Sequence, residues 1–295
     1  MNKTKLWLIR IGVAVFVLAA LTLGGYYSSK LYSKRSLERL AAMREEQNAT
    51  PVPTALPSGN VQIVIVTTQT AEPTPTVGNV QASDPTKEPE DSPSPTPTLA
   101  PILDQYVEFC NLNSDFYGWI KIDGTVIDYP VMWRENDSEY FYLHNDFYGK
   151  RSSSGVPFID YRCGVNPRST NLIIYGHAMR DGSMFRSISY YEHQAYYEEH
   201  KYIEFDTRYE TATYEVVGVF RSQVYDADED VFKFYNFINA ETEEEFNEYM
   251  DNVRALNSVE IESTAVWGDQ LITLVTCAYH VENGRFVVVA KKITD

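Results

Sequence analysis

Three residue types in this chain could together move an acyl group: a thiol, an imidazole and a guanidinium. Leu271 to Cys277 (LITLVTC) reads as a buried strand ending on a cysteine. The short loop AYHVENG follows, and a second strand-like run opens with Arg285. Adjacent strands lie about 4.8 Å apart, so a hairpin brings Cys277 and Arg285 to one sheet end. An arginine beside a cysteine favours the thiolate and offers a permanent positive fork to an oxyanion. A thiol nucleophile also needs a group that carries a proton to the leaving amine, and histidine titrates near neutrality. Among five histidines, His177 follows the aliphatic run Leu172 to Tyr175 (LIIY) through Gly176, at a strand end facing a loop. His144, His193 and His200 sit in aromatic or acidic stretches that suit surface or hydrogen-bonded structural roles. His280, three residues past Cys277, could compete as base or share a metal with the thiol, but no acidic or cysteine cluster completes a set of three or four ligands. On spacing alone, a cysteine at the end of a buried strand is more often a small hydrophobe than a nucleophile. Both readings stand at this point.

The elements that must position these residues lie between Ile102 and Asp295. Leu103, Tyr106, Val107 and Cys110 fall at i, i+3, i+4 and i+7, which predicts a helix with Cys110 on its core face. Eight strand-like runs follow, beginning near Trp119, Val126, Val156, Leu172, Tyr202, Ala212, Leu271 and Phe286. Their number and spacing predict a mainly β domain, a barrel or a sandwich. Between the sixth and seventh runs, Thr242 and Glu245 form a capping-box pattern, and Phe246, Tyr249, Met250, Val253 and Leu256 mark one apolar face of an inserted helix. Its acidic first turn complements the helix dipole and needs no ligand.

The first hundred residues are of another kind. Leu6 to Tyr27 is long enough to span a bilayer core, broken only by Arg10 near one end, where it can snorkel. Gly24 and Gly25 offer only a weak version of a signal-peptide cleavage site, so a membrane anchor is expected. Lys3, Lys5 and Arg10 on one flank balance Lys30, Lys34, Arg35 and Arg39 on the other, so charge does not orient it. From Asn48 to Pro101 the chain reads as a Pro/Thr-rich linker, holding all of the 14 prolines except Pro130, Pro157 and Pro167. Within it Val61 to Val66 (VQIVIV) is strand-prone and reads as an aliphatic patch of the linker. The net charge of -16 argues against nucleic acid as a partner. Cys110, Cys163 and Cys277 are too few and too scattered for a disulfide framework or a paired-cysteine zinc site.

TLVTC at Thr273 to Cys277, NLIIYGH at Asn171 to His177 and GRFVVVAK at Gly284 to Lys291, in that architecture, resemble the sortase signature. IDYPVM at Ile127 to Met132, YFYLHNDFYGK at Tyr140 to Lys150 and DGSMF at Asp181 to Phe185 are similar to the class B branch. The resemblance covers almost all of residues 102–295. It implies an eight-stranded β-barrel with an N-terminal helix and a helix inserted between strands 6 and 7. It also implies Cys277 as the nucleophile that forms a thioester with a sorting signal, His177 as proton carrier and Arg285 as oxyanion and substrate ligand, helped by a main-chain N–H after Cys277. An amine from a cell-wall precursor or another protein then resolves the thioester; no cofactor is required and no residue is assigned as a metal ligand. The implied partners are sorting-signal-bearing surface proteins and the membrane, with Met1 inside and the domain outside. A cysteine hydrolase using the same Cys277 and His177, and a non-catalytic wall-binding module, are the competing readings.

Overall fold

The computed structural model describes residues 3–49, 100–137 and 140–294. The expected linker, Val61 to Val66 included, lies outside the described residues except at its ends. Helices α1 (Lys3–Ala49) and α2 (Asp104–Leu112) precede strands β1 (Phe116–Lys121), β2 (Asp128–Met132), β3 (Phe158–Ile159) and β4 (Asn171–Tyr175). A short helix α3 (Gln194–Glu199) leads into β5 (Tyr202–Thr207) and β6 (Thr213–Gln223). Helix α4 (Glu243–Leu256), then β7 (Leu271–Cys277) and β8 (Gly284–Lys292), complete the chain.

The strands close into a barrel in the order β1-β2-β3-β4-β7-β8-β6-β5, with β5 returning to β1. Each of the eight strands lies at or within a few residues of a run the sequence picks out. Two neighbour pairs are parallel, β2 with β3 and β4 with β7, and the second of these builds the site. Helix α4 lies over β6 because Gly218 leaves room: a Cβ there would stand 2.3 Å from Val253 Cγ1. Thr242 caps α4 by accepting from Glu245 N–H at 3.2 Å, while the Glu245 carboxylate reaches Glu241 N–H rather than that of Thr242. Phe246, Tyr249, Met250 and Val253 are buried as the apolar stripe predicts, whereas Leu256, in the last turn, is exposed.

Helix α2 departs from its predicted face. Leu103 is the N-cap and has extended backbone, so it does not share the helical phase. The buried residues are Tyr106 and Phe109, Cys110 is only half-buried, and Val107 is exposed. Phe109 packs on Phe116, Trp119 and Phe147 in an aromatic cluster under the helices, where full burial of each large side chain stabilises the fold by roughly 1.5–3 kcal/mol.

One helix among the described residues, α1, is long and apolar enough to cross a membrane, and its described apolar side chains from Val13 to Leu23 are exposed. Beyond them the same helix docks on the barrel. Ser33, Ser36, Leu40 and Arg44, spaced by three or four residues, are buried along one stripe. Arg44 donates to Asp206 at 3.1 Å and to the Tyr106 hydroxyl at 3.3 Å, and Tyr106 itself donates to Asp206 at 2.6 Å. At the far end of α1, Gln47 donates to Glu108 on α2 at 3.1 Å, so the residues flanking the linker sit side by side on the domain.

Candidate active site

β7 is buried along its length until Cys277, which is half-buried. Cys277 and Arg285 are directly paired across the antiparallel β7–β8 ladder, as the hairpin reading requires. The connecting loop turns through Asn283 in the left-handed region (φ 54°) and closes with Ala278 N–H on the Gly284 carbonyl at 2.9 Å. The Ala278 N–H is therefore spent on the hairpin and is not available to an oxyanion. Arg285 Nη1 donates to the carbonyls of Asn283 and Gly284 at 3.1 and 3.0 Å, which holds the guanidinium over its own turn.

His177 arrives from the other side of β7. Tyr175 pairs with Val275 in the parallel β4–β7 ladder, Gly176 N–H donates to the Val275 carbonyl at 3.0 Å, and the Thr276 hydroxyl donates to the Gly176 carbonyl at 2.6 Å. These bonds carry the pairing one step past the strand end and bring His177 alongside Cys277. His177 Nε2 lies 2.8 Å from the Leu143 carbonyl. A carbonyl only accepts, so Nε2 carries the proton, and in the neutral ring Nδ1 holds the lone pair. Burial holds the His177 pKa below its ordinary 6.5; the Leu143 bond opposes this, and the neighbouring His144 adds to it.

Cys277, His177 and Arg285 line one cleft of about 490 Å³. Tyr140, Phe158, Tyr161 and Tyr175 form an aromatic wall, and Val224, Phe234 and Tyr235, from the segment between β6 and α4, form the opposite one. Arg162 ties the two together. It binds the fully buried Asp160 with two parallel bonds of 2.9 and 2.7 Å and donates to the Tyr235 carbonyl at 3.0 Å. Tyr175 adds a hydroxyl bond to Asp160 at 3.2 Å.

The sequence reading missed these walls, since Leu143, Arg162 and Tyr235 come from three separate connections. His144, expected in a surface or hydrogen-bonded role, is exposed and not part of the cleft lining, with its ring centroid 6.3 Å from that of His177. His280 is exposed, packs toward Gly284 and is not part of the cleft lining. Among the described residues no cluster of His, Cys, Asp or Glu is arranged to hold a metal. Cys163 is a core thiol: burial pushes its pKa up to about 12, and its sulfur lies 3.5 Å from both the Asn171 carbonyl and Ile173 N–H.

Residues 120–293, more than half of the chain, match the family model described as a sortase domain. Sortase B of Staphylococcus aureus (strain NCTC 8325 / PS 47) is 32% identical over 193 residues, covering 64% of this chain and 75% of that protein. Sortase B of Listeria monocytogenes serovar 1/2a is 32% identical over 201 residues, covering 65% and 76%. The solved Staphylococcus aureus sortase B-substrate complex superposes with a TM-score of 0.57 at 28% identity, covering 65% of this chain and 86% of that one. Sequence and architecture agree that this chain belongs to the sortase family of cysteine transpeptidases, in its class B branch.

Proposed function

We propose that the chain cleaves a C-terminal sorting signal of secreted proteins and transfers the acyl fragment to an amine, with Cys277, His177 and Arg285 as the catalytic residues. The observation that carries this reading is the convergence of the three side chains, from β7, β4 and β8, on one cleft. The Cys277 thiol passes its proton to His177 Nδ1, and the thiolate attacks a backbone carbonyl of the signal to form a tetrahedral oxyanion beside the imidazolium. With the Ala278 N–H engaged in the hairpin, the main charged donor for that oxyanion is the Arg285 guanidinium. Collapse breaks the C–N bond: the acyl fragment stays on Cys277 as a thioester, and the departing amine takes a proton from His177. An incoming amine then attacks the thioester, His177 accepts its proton, and the Cys277 thiolate leaves. With Nε2 tied to Leu143, Nδ1 is the ring nitrogen left for both transfers.

Helix α1 supports a membrane anchor at Leu6 to Tyr27, and the proposed orientation places Met1 inside and the barrel outside the cell. The partners are then surface proteins bearing sorting signals and an amine of the cell wall or of another protein. The purified chain, incubated with tail peptides from surface proteins of the same organism, is expected to accumulate a Cys277 adduct that hydroxylamine releases. Added amines are expected to appear in the product. Equal turnover by Cys277→Ala refutes the assignment, and free acid as the sole product in the presence of amines makes the chain a hydrolase.

A further inference from the structure

Where α1 leaves the apolar run, the face it presents changes character. Tyr32, Arg35, Ser36 and Arg39 recur at i, i+3, i+4 and i+7 and form one side of a groove of about 640 Å³; Tyr148 and Lys150, from the connection between β2 and β3, form the other. Three cations converge in this groove on a chain whose net charge is -16. Neither Arg35 nor Arg39 has a carboxylate partner among the described residues. Lys150 is held in place, donating to the Tyr32 hydroxyl at 3.0 Å with its ammonium 5.2 Å from the ring centroid. The nearby negative charge, Asp146, is not among the lining residues: one carboxylate oxygen accepts from the N–H groups of Tyr148 and Lys150, and the other is buried without a partner. The groove keeps an excess of positive charge.

A second observation points to a ligand. Ser36 lines this groove at 7% exposure, and its hydroxyl is buried with no hydrogen-bond partner. Ser33, one turn earlier, shows what a buried serine on this helix ordinarily does: its hydroxyl bonds the Ser29 carbonyl and pairs with Ser152. An orphaned buried hydroxyl carries a desolvation penalty, so its retention among three cations calls for an acceptor.

We infer that this groove binds a phosphate group, with Arg35, Arg39 and Lys150 supplying charge and Ser36 a hydrogen bond. The position suits a phosphate presented at a membrane face. Arg35 lies eight residues past Tyr27, roughly 12 Å along the helix, and side chains on a helix lean toward its N-terminus, here back toward the apolar run. The groove itself does not depend on the membrane reading; only the source of the phosphate does.

The test uses the full chain in neutral-detergent micelles, titrated with phosphatidylglycerol, phosphatidylcholine or inorganic pyrophosphate, with lipid retention read by native mass spectrometry and Tm by calorimetry. Phosphatidylglycerol is expected to be retained and to raise Tm. The double variant Arg35→Gln/Arg39→Gln is expected to weaken its binding about thirtyfold, at roughly 1 kcal/mol per basic residue near an anionic surface. A pyrophosphate response equal to that of the lipid assigns the groove to a soluble phosphate ligand; a response to phosphatidylglycerol alone assigns it to a headgroup. Lys34 points to a different face, paired with Glu38 at 3.8 Å, and serves as the control for diffuse charge. If Lys34→Gln costs as much binding as Arg35→Gln, or if phosphatidylglycerol and phosphatidylcholine behave alike while pyrophosphate has no effect, the site does not exist. Ser36→Ala is expected to raise the ligand-free Tm, because an unsatisfied hydroxyl is removed, and to respond less to the ligand. A full response in that variant also overturns the proposal.

Discussion

The Thr276 hydroxyl donates a 2.6 Å hydrogen bond to the carbonyl of Gly176, and both groups are buried. Thr276 precedes Cys277 and Gly176 precedes His177, so this bond sets the distance between the proposed nucleophile and its proton carrier. Thr276→Val keeps the shape and strands the Gly176 carbonyl, which costs roughly 1–3 kcal/mol of stability. We expect a lower denaturation midpoint together with a fall in kcat that exceeds any rise in KM. An unchanged kcat in a folded variant shows that the bond does not position the pair.

Arg285 separates charge from shape. Arg285→Lys keeps a point charge but loses the planar fork, and loss of one oxyanion donor costs on the order of 10²–10³ in rate. Acylation of Cys277 measured in single turnover is expected to fall by that order. A near-wild-type rate in the lysine variant removes the fork from the mechanism.

The proposed pair Cys277 and Arg285 was legible from sequence because a short hairpin fixes both members. His177 was harder. Its closeness to Cys277 depends on β4 and β7 pairing in parallel, a contact between strands a hundred residues apart that no local periodicity encodes. The strands read well because each is a short apolar run between turn formers. The walls did not, because Leu143, Arg162 and Tyr235 act through backbone carbonyls or a buried carboxylate, and side-chain pattern says nothing of where a carbonyl points. The docking of α1 was likewise hidden: past its apolar run only Lys30, Lys34, Arg35 and Arg39 drew notice, as charge that does not orient the segment, yet Arg44 is buried against Asp206.

That buried pair predicts a stability effect. Arg44→Ala leaves the Asp206 carboxylate with the Tyr106 hydroxyl but no cation, and breaking a buried pair from one side costs about 3–5 kcal/mol. Urea titration is expected to show that loss, and limited proteolysis is expected to open sites within residues 28–49. Wild-type stability and protection mean that the helix lies against the barrel without contributing to it.

His177 also carries a pH signature. Its folded pKa is held below the unfolded 6.5, so the unfolded chain binds the proton more readily. The associated stability is present above pH 6.5 and is lost as pH falls through the folded value. Tm should therefore decline on acidification below about 6.5, and His177→Gln should flatten that part of the curve. Identical slopes in the two proteins place the acid sensitivity elsewhere.

Gly176 lacks a side chain for a reason of space. A Cβ at this position would stand 2.6 Å from Cγ and 2.7 Å from Cδ2 of Phe185, a fully buried ring with little freedom to retreat. Phe185 N–H also donates to the His177 carbonyl at 2.9 Å, so a displaced Phe185 pulls directly on the proposed proton carrier. Gly176→Ala is expected to lose about 1–3 kcal/mol from overpacking and to lose activity beyond what that instability explains. Phe185→Leu, which trims the ring, is expected to restore part of the activity of the alanine variant while lowering that of the parent. Failure of this rescue in folded proteins means that the clash does not reach His177.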